Sequence, residues 1–246
     1  MRGWSGRASG AVAALVALAL LGACGRPASR PTLGARVRAT TTTTTFPVFT
    51  VADVKGPSIM VYDAPGAAVP RQQLASPNRD GAPLVFLVTG QQPDWLEVLL
   101  PVRPNGSKGW VRAADASLRN VAWRMQVELS AHRITVWDGD QVVAHEPIAV
   151  GAAAAPTPSG EYYVTELLTV PAFQRSAYGP FAFGISGHSD IYTTFGSGDG
   201  TIGIHGTGDP SSLGKSVSHG CIRLSNDTIL KLAKELPTGT PVTIVA

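Results

Sequence analysis

The sequence predicts a mainly β protein with two folded units in series. Its 246 residues are enough for one large domain or for two modest domains that each bury a core. Short apolar runs rich in β-branched and aromatic residues alternate with turn sequences that contain Gly, Asn or Pro. Only one stretch, close to the C-terminal end, repeats its apolar residues at helical spacing.

Residues 1–24 are predicted to be a processing segment that is not part of the fold. Arg2 and Arg7 precede an unbroken apolar run from Ala11 to Leu21. The following Leu21-Gly22-Ala23-Cys24 resembles the bacterial lipoprotein signal, which implies lipidation of Cys24 and a protein exported and held at the outer face of the cytoplasmic membrane, facing the cell wall. A secretory signal cut at Ala23 is the main alternative. A transmembrane anchor is disfavoured because the run is shorter than the roughly 20 residues that span a bilayer.

Two segments follow the signal. Residues 25–45 are rich in Arg, Pro, Ala and Thr and lack apolar periodicity, which is typical of a disordered tether. Residues 46–118 are predicted to form a small all-β domain, with strands at 58–62, 83–88 and 95–100 and an Asn105-Gly106 turn before the strand at 109–112. Trp95 and Gly109-Trp110-Val111 make this domain resemble a bacterial Src-homology-3-like barrel. We assign no site residues to it.

Residues 121–246 form the second predicted unit, a β-sandwich with one helix. Residues 123–129 alternate apolar and polar side chains, as in a half-buried strand, and Asp138-Gly139 predicts a turn. A helix is expected to begin at Ser225 or Asn226 and to stop at Pro237, before a last strand over 242–245.

Charge and cysteine content exclude some functions and constrain others. Lys and Arg number 20 against 17 Asp and Glu, and without residues 1–23 the balance is 18 to 17, so nothing favours a nucleic-acid partner. The chain has two cysteines, and if Cys24 carries the anchor, Cys221 has no disulfide partner within the chain. An exported protein that keeps one free thiol either buries it or uses it.

The candidate chemistry lies in two segments, Ile202–Gly206 and Ser218–Asn226. A thiol with a reference pKa of about 8.5 is mostly protonated at neutral pH and needs a base to become a nucleophile. His205 follows an apolar strand pattern and is therefore expected to be held rigidly, as a base for Cys221 must be. We prefer it to His219, because neighbouring side chains on an extended segment point to opposite faces.

The residues around the thiol suggest supporting roles. Gly220 permits a tight turn, and the N–H groups of His219, Gly220 and Cys221 are candidates for an oxyanion site. Ser218 is expected either to bond an imidazole or to cap a turn. The sequence places no acid to orient the base, and the carbonyl of Gly206 is a candidate by proximity alone.

These motifs carry a specific resemblance. His205-Gly206 followed by Ser218-His219-Gly220-Cys221 is similar to the signature of the YkuD-type L,D-transpeptidase domain, and the resemblance spans residues 121–246 with Pro156–Gly160 and Tyr178-Gly179-Pro180. It implies that Cys221 attacks a peptidoglycan stem peptide, with His205 as base and no cofactor or metal. The acyl group then passes to a second diaminopimelate. Arg223, where some members have Asn, is a candidate to hold a stem-peptide carboxylate, and Tyr178 is a candidate for the substrate cleft.

Other interpretations stay open at this point. An L,D-carboxypeptidase would share the acylation step and use water as acceptor. Cys221, His205 and His219 as zinc ligands fit no closed structural spacing. A catalytically silent wall-binding lipoprotein is the third alternative. His188 and Asp190 are expected to be solvent-exposed and without a role, and His132 and His145 have no motif context.

Overall fold

A computed structural model describes residues 46–194 and 198–246. The predicted signal over 1–24 with Cys24 and the predicted tether over 25–45 lie outside the described residues. The mainly β prediction is confirmed: strands make up most of the regular structure, and only two α-helices occur in the described ranges.

The described residues belong to one compact unit. Its N-terminal part, here called the N-terminal domain, is a five-stranded antiparallel sheet with an added hairpin. Its strands are β1 Phe49–Val54, β2 Ser58–Val61, β3 Gln72–Ala75, β4 Val85–Gln92, β5 Trp95–Leu99, β6 Lys108–Arg112 and β7 Ala116–Val121. The sheet order is β6-β5-β4-β1-β7, and β2 pairs with β3. Gly106, at φ +78°, lies in the predicted turn between β5 and β6. Because β7 pairs with β1 as far as Val121, this sheet extends beyond the expected limit of 118.

The C-terminal domain is built on one eight-stranded mixed sheet with a short two-stranded ribbon. Its strands are β8 Trp123–Glu128, β9 Arg133–Asp138, β10 Gln141–Pro147, β11 Val150–Gly151, β12 Gly160–Thr169, β13 Phe181–His188, β14 Thr201–His205, β15 Ser216–Ser218, β16 Ile222–Arg223 and β17 Pro241–Val245. The order is β10-β9-β8-β17-β12-β13-β14-β16, with β11 against β15.

Strand β12 joins the two halves of this sheet. Its first residues, Gly160–Tyr163, pair with β17, whereas Val164–Thr169 pair with β13. Side chains from both halves, such as Val127 of β8 and Ile204 of β14, belong to one buried apolar cluster. The domain core therefore lies between the halves, and β14 and β16 are held against it.

Two α-helices accompany the sheets, and of these α2 packs against β13. The predicted helix is α2, Asn226–Glu235, and Ser225 is its N-cap, since its hydroxyl accepts the N–H of Thr228 at 3.2 Å. The short α1, Arg175–Tyr178, follows a 3₁₀ turn over Ala172–Gln174 and was not predicted. No helix in residues 46–194 or 198–246 is long and apolar enough to span a membrane.

The two domains share buried surface. Val51, Val85 and Leu87 of the N-terminal sheet belong to the same apolar cluster as the C-terminal domain core. The buried Tyr163 hydroxyl donates to the Val85 carbonyl at 3.0 Å, and the Arg119 guanidinium donates to the Thr238 carbonyl at 2.9 Å. The N-terminal domain is therefore packed firmly on the domain that carries the candidate chemistry.

Candidate active site

Parallel pairing of β14 with β16 brings the two predicted segments together. Ile204 lies opposite Ile222 and His205 opposite Arg223, so Cys221 directly precedes β16 beside the end of β14. Gly203 separates the two functional side chains: a Cβ at this position would lie 3.8 Å from Cys221 Sγ and 3.8 Å from His205 Cδ2. The backbone N–H of Gly203 also points at Cys221 Sγ, at 3.4 Å. The thiol and the imidazole thus both lie close to Gly203 of β14.

A cavity of about 280 Å³ opens over this pair. Cys221 and His205 line it, together with Tyr178, Arg223 and His219. A cavity of this size that contains a thiol, an imidazole and a cation is a suitable place for a peptide or an acyl group.

The turn that presents Cys221 is held by two hydroxyl groups. Ser218 Oγ donates to the Cys221 carbonyl at 2.6 Å and accepts the N–H of Gly220 at 3.1 Å, so Ser218 caps the turn rather than bonding an imidazole. Thr157 Oγ1 donates to the Gly220 carbonyl at 2.7 Å and accepts the N–H of Gly151 at 2.8 Å. Gly220 has φ +116°, a conformation that favours glycine. The turn that carries the nucleophile is therefore held on both sides by side-chain hydrogen bonds.

The turn limits which groups can bind an oxyanion. Of the three candidate N–H groups, that of Gly220 donates to Ser218 Oγ at 3.1 Å. Within the described ranges the N–H of Cys221 itself has no hydrogen-bond acceptor. It remains a candidate donor for a developing oxyanion next to Sγ.

His205 is buried, at 3% exposure, and its tautomer is determined by the backbone. Its Nδ1 lies 2.6 Å from the Gly206 carbonyl, which can only accept, so Nδ1 carries the proton and Nε2 keeps its lone pair. Burial lowers the pKa of His205 to about 4, with the Arg223 charge adding to this effect and the Gly206 carbonyl opposing it. The imidazole is thus neutral at neutral pH, as a general base must be.

The thiol is also neutral at rest. Burial raises the pKa of Cys221 above its ordinary value, while the Gly203 N–H and the Arg223 charge act in the opposite direction. Because both groups are neutral, the Cys221 proton is expected to pass to His205 while the sulfur attacks a substrate, and not before the attack.

Tyr178 and Asn226 fix the end of β14 that carries His205. The Tyr178 ring packs edge-on against the His205 ring, with 5.0 Å between centroids, and burial raises the pKa of its hydroxyl. Asn226 Oδ1 accepts the N–H of Thr207 at 3.0 Å. This oxygen fills the space that a Cβ on Gly206 or on Gly179 would need. The His205-Gly206 and Tyr178-Gly179 motifs therefore meet at one amide oxygen.

Arg223 supplies an unpaired positive charge. Its Nε is buried without a hydrogen-bond partner within the described residues, and no carboxylate of residues 46–194 or 198–246 forms an ion pair with it. The Arg223 charge helps to lower the pKa of the Asp209 carboxyl, which is exposed and forms no ion pair with it. A guanidinium on the cavity wall without such an ion pair is suited to a carboxylate of a ligand.

The remaining histidines lie elsewhere. His219 is exposed and packs against the Tyr192 ring, with 5.7 Å between centroids, at the rim of the cavity. His188 is buried at 4% exposure, so the expectation that it contacts solvent is wrong; its backbone is bonded to Asn105 and its ring lies against Asp199. Asp190 is exposed as expected. His132 bonds Ser216, and His145 bonds Thr135.

No metal-binding cluster of three or more His, Cys, Asp or Glu side chains occurs in the part of the chain that the structure describes.

Sequence reasoning missed several functional neighbours. Thr157 lies in the quoted Pro156–Gly160 motif, but only the fold brings it to the Gly220 carbonyl. The sequence predicts Asn226 as a possible helix cap and Gly203 as part of a strand, whereas in the structure Asn226 also bonds Thr207 and Gly203 also bonds Cys221 Sγ. No local signal distinguishes these residues, because their partners are distant in sequence.

Comparison with known proteins gives consistent matches. The family model of the YkuD L,D-transpeptidase catalytic domain matches residues 122–244. A Bacillus licheniformis protein that carries the provisional name L,D-transpeptidase YkuD is 35% identical over 156 residues, which cover 60% of this chain and 85% of that protein. The Bacillus subtilis protein of the same name is 37% identical over 125 residues, which cover 50% of this chain and 66% of that protein. The solved structure of Bd1075 from Bdellovibrio bacteriovorus is 26% identical to this chain, with a TM-score of 0.39. The match covers 50% of this chain and 47% of Bd1075, so this chain spans about half the length of Bd1075.

Proposed function

Because the chain belongs to the YkuD family of L,D-transpeptidase catalytic domains, we propose that it cross-links peptidoglycan stem peptides through an acyl-enzyme on Cys221. The observation that carries this proposal is the shared cavity of Cys221 and a buried, neutral His205 whose Nδ1 proton is held by the Gly206 carbonyl. Thiol, base and base-orienting group are then all present on rigid backbone.

The acylation step follows from this geometry. Cys221 Sγ attacks the carbonyl that joins diaminopimelate to a terminal D-alanine, and its proton passes to Nε2 of His205. The tetrahedral oxyanion lies near the N–H of Cys221, and collapse transfers the proton from His205 to the leaving D-alanine amine. A thioester on Cys221 remains, and the imidazole is again neutral.

Deacylation reverses these roles. The side-chain amine of a second diaminopimelate attacks the thioester, and His205 accepts a proton from that amine and returns it to the departing sulfur. The product is a diaminopimelate–diaminopimelate bond. Water in place of the amine would give an L,D-carboxypeptidase with the same acylation step.

Arg223 and Tyr178 are proposed to bind the donor peptide. Arg223 forms no ion pair within the described residues and lines the same cavity as the thiol, which supports pairing with a stem-peptide carboxylate. Tyr178 covers one side of the imidazole and lines the same cavity.

We further propose that lipidation at Cys24 holds the enzyme at the outer face of the cytoplasmic membrane. The support is the Leu21-Gly22-Ala23-Cys24 motif after an apolar run. A Cys24→Ser variant should leave the membrane fraction and lack the lipid mass. The Src-homology-3-like nature of the N-terminal domain stays a prediction.

Reaction with a carbapenem tests the nucleophile, because carbapenems acylate the cysteine of this family. Intact-mass measurement of the folded protein should show one adduct, and peptide mapping should place it on Cys221. Cys221→Ala, folded by circular dichroism, should show none. An unmodified wild type, under conditions in which a control L,D-transpeptidase reacts, would favour the silent wall-binding lipoprotein.

Wall digests separate the two outcomes of the acyl-enzyme. Cells that overproduce the wild type should gain diaminopimelate–diaminopimelate cross-links relative to cells that overproduce Cys221→Ala. Shortened stems without new cross-links would instead assign carboxypeptidase activity.

A further inference from the structure

One turn of the N-terminal domain reaches the rim of the catalytic cavity. Arg103, between β5 and β6, donates from one guanidinium nitrogen to the Ser189 carbonyl at 2.7 Å. Its other terminal nitrogen donates to the Tyr192 carbonyl at 3.2 Å and to the Asp199 carbonyl at 3.1 Å. One side chain of the first domain thus bonds three backbone carbonyls of the second.

Asn105, two residues further along the same turn, adds a pair of hydrogen bonds. Its Nδ2 donates to the His188 carbonyl at 2.7 Å, and its Oδ1 accepts the His188 N–H at 2.8 Å. The side-chain amide therefore bonds the end of β13 as a neighbouring strand would. His188 is buried at this contact.

The bonded backbone is part of the cavity wall. Ser189, Tyr192 and Gly200 line the same cavity as Cys221 and His205. The Ser189 N–H donates to the Gly200 carbonyl at 2.8 Å, and Ser189 Oγ accepts the N–H of Tyr192 at 3.0 Å. We call residues 188–194 and 198–200 the rim segments.

Gly200 of the rim segments leaves room for the Arg103 guanidinium. Gly200 has φ +81°, and a Cβ there would lie 2.9 Å from a terminal nitrogen of Arg103 and would collide with the Tyr192 carbonyl. The rim backbone is folded tightly around the charge. The Tyr192 ring, in turn, packs against His219, two residues before Cys221.

We propose that Arg103 and Asn105 are positioning residues, through which the N-terminal domain shapes the acyl-donor side of the catalytic cavity. This inference rests on the proposed function, since it assigns the rim to donor binding. The planar guanidinium is essential because its separated N–H groups reach three carbonyls at once, which the single ammonium of a lysine cannot do with the same geometry.

Docking of the domains does not depend on these two side chains. The domains also share the apolar cluster of Val51, Val85 and Leu87, and the Tyr163–Val85 and Arg119–Thr238 hydrogen bonds. Removal of the Arg103 guanidinium is therefore expected to release the rim segments and to leave the fold intact.

The test compares Arg103→Gln and Asn105→Ala with Arg71→Gln in the otherwise wild-type chain. Arg71 is a matched control, since it bonds Asp63 and the Lys108 carbonyl within the N-terminal domain alone. Carbapenem acylation of Cys221 is followed over a range of concentrations, which separates binding of the inhibitor from the maximum acylation rate. Iodoacetamide, which is too small to need the rim, measures the intrinsic reactivity of the thiol.

Arg103→Gln should weaken carbapenem binding about tenfold or more, because a small misplacement of binding groups has a cost of this order. The maximum acylation rate and the rate of reaction with iodoacetamide should stay within about twofold of wild type. Arg103→Lys should recover part of the loss, and Arg71→Gln should behave as wild type. Equal carbapenem binding by Arg103→Gln and Arg71→Gln would overturn the proposal. So would a parallel loss of both reactions, which would indicate damage to Cys221 and His205 themselves.

Hydrogen exchange tests the positioning role independently of the proposed function. The backbone N–H groups of residues 188–194 should exchange faster in Arg103→Gln than in Arg71→Gln, whatever reacts at Cys221. A wild type that forms no carbapenem adduct would contradict the proposed function alone. Unchanged exchange in the 188–194 peptide would contradict the positioning role alone.

Discussion

The buried imidazole of His205 makes a quantitative prediction about stability and pH. Its pKa in the folded protein is lowered to about 4 by burial, whereas an unfolded chain titrates at about 6.5. Between these values the unfolded chain binds a proton that the folded protein does not bind, so stability falls as the pH falls from 6.5 towards 4. The difference between about 6.5 and about 4, at about 1.4 kcal/mol for each pH unit, corresponds to about 3 kcal/mol.

The perturbation that isolates this effect is His205→Asn. An asparagine amide can still donate to the Gly206 carbonyl, but it has no proton to gain in this range. Urea unfolding of both proteins, followed by circular dichroism at pH 7.5, 6.5, 5.5 and 4.5, gives the free energy of unfolding at each pH. His188 and Glu166, whose pKa values are also shifted, titrate in both proteins and cancel in the comparison.

We expect the wild type to lose about 2.5 kcal/mol more than the variant between pH 7.5 and 4.5, from the linkage relation. Parallel curves for the two proteins would refute the reasoning, because they would mean that the folded protein binds the His205 proton as readily as the unfolded chain. The same lowered pKa predicts that carbapenem acylation has no acid limb near pH 6.5, since the base remains neutral until the pH approaches 4.

Three further predictions concern the residues that hold the site. Thr157→Val leaves the buried Gly151 N–H and the Gly220 carbonyl without a partner, so it should lower the free energy of unfolding by about 2–4 kcal/mol. A loss below about 0.5 kcal/mol would contradict the bridging role of Thr157. Ser218→Ala frees the turn before the nucleophile and should slow acylation of Cys221 about tenfold or more in stopped-flow assays, whereas an unchanged rate would show that the turn holds without it. Gly206→Ala places a methyl group against Asn226 Oδ1 and should lower the free energy of unfolding by about 1–3 kcal/mol. The control Gly56→Ala, where a Cβ has ordinary space, should not lower it, and equal stability of the two variants would argue against close packing at Gly206.

Much of the fold was predictable because the signals are local. Alternation of apolar residues over 123–129 corresponds to β8, Asn105-Gly106 and Asp138-Gly139 are turns, and Ser225 caps α2. These features depend on side-chain periodicity and backbone conformation within a few residues. The short α1 escaped prediction because a single turn has too few residues for periodicity to be visible.

The environment of the site was predictable only in part. Gly206 was a candidate to orient the base, and its carbonyl lies 2.6 Å from His205 Nδ1. The Gly220 N–H was one of three candidates for an oxyanion site, and in the structure it donates to the Ser218 hydroxyl. Local spacing leaves such choices open, because several acceptors lie within reach of one N–H and the turn conformation selects among them.

The sequence by itself indicated the chemistry: a cysteine and histidines beside glycines, next to segments with the pattern of strands. Tertiary structure alone decided which partners each group has. Parallel pairing of β14 with β16 places His205 and Cys221 around Gly203. Packing of the two domains brings Arg103 to carbonyls 86 to 96 residues away. The physical reason is that a hydrogen bond depends on distance in space, and contacts between residues so far apart in the chain are set by the packing of whole sheets, which no local pattern encodes.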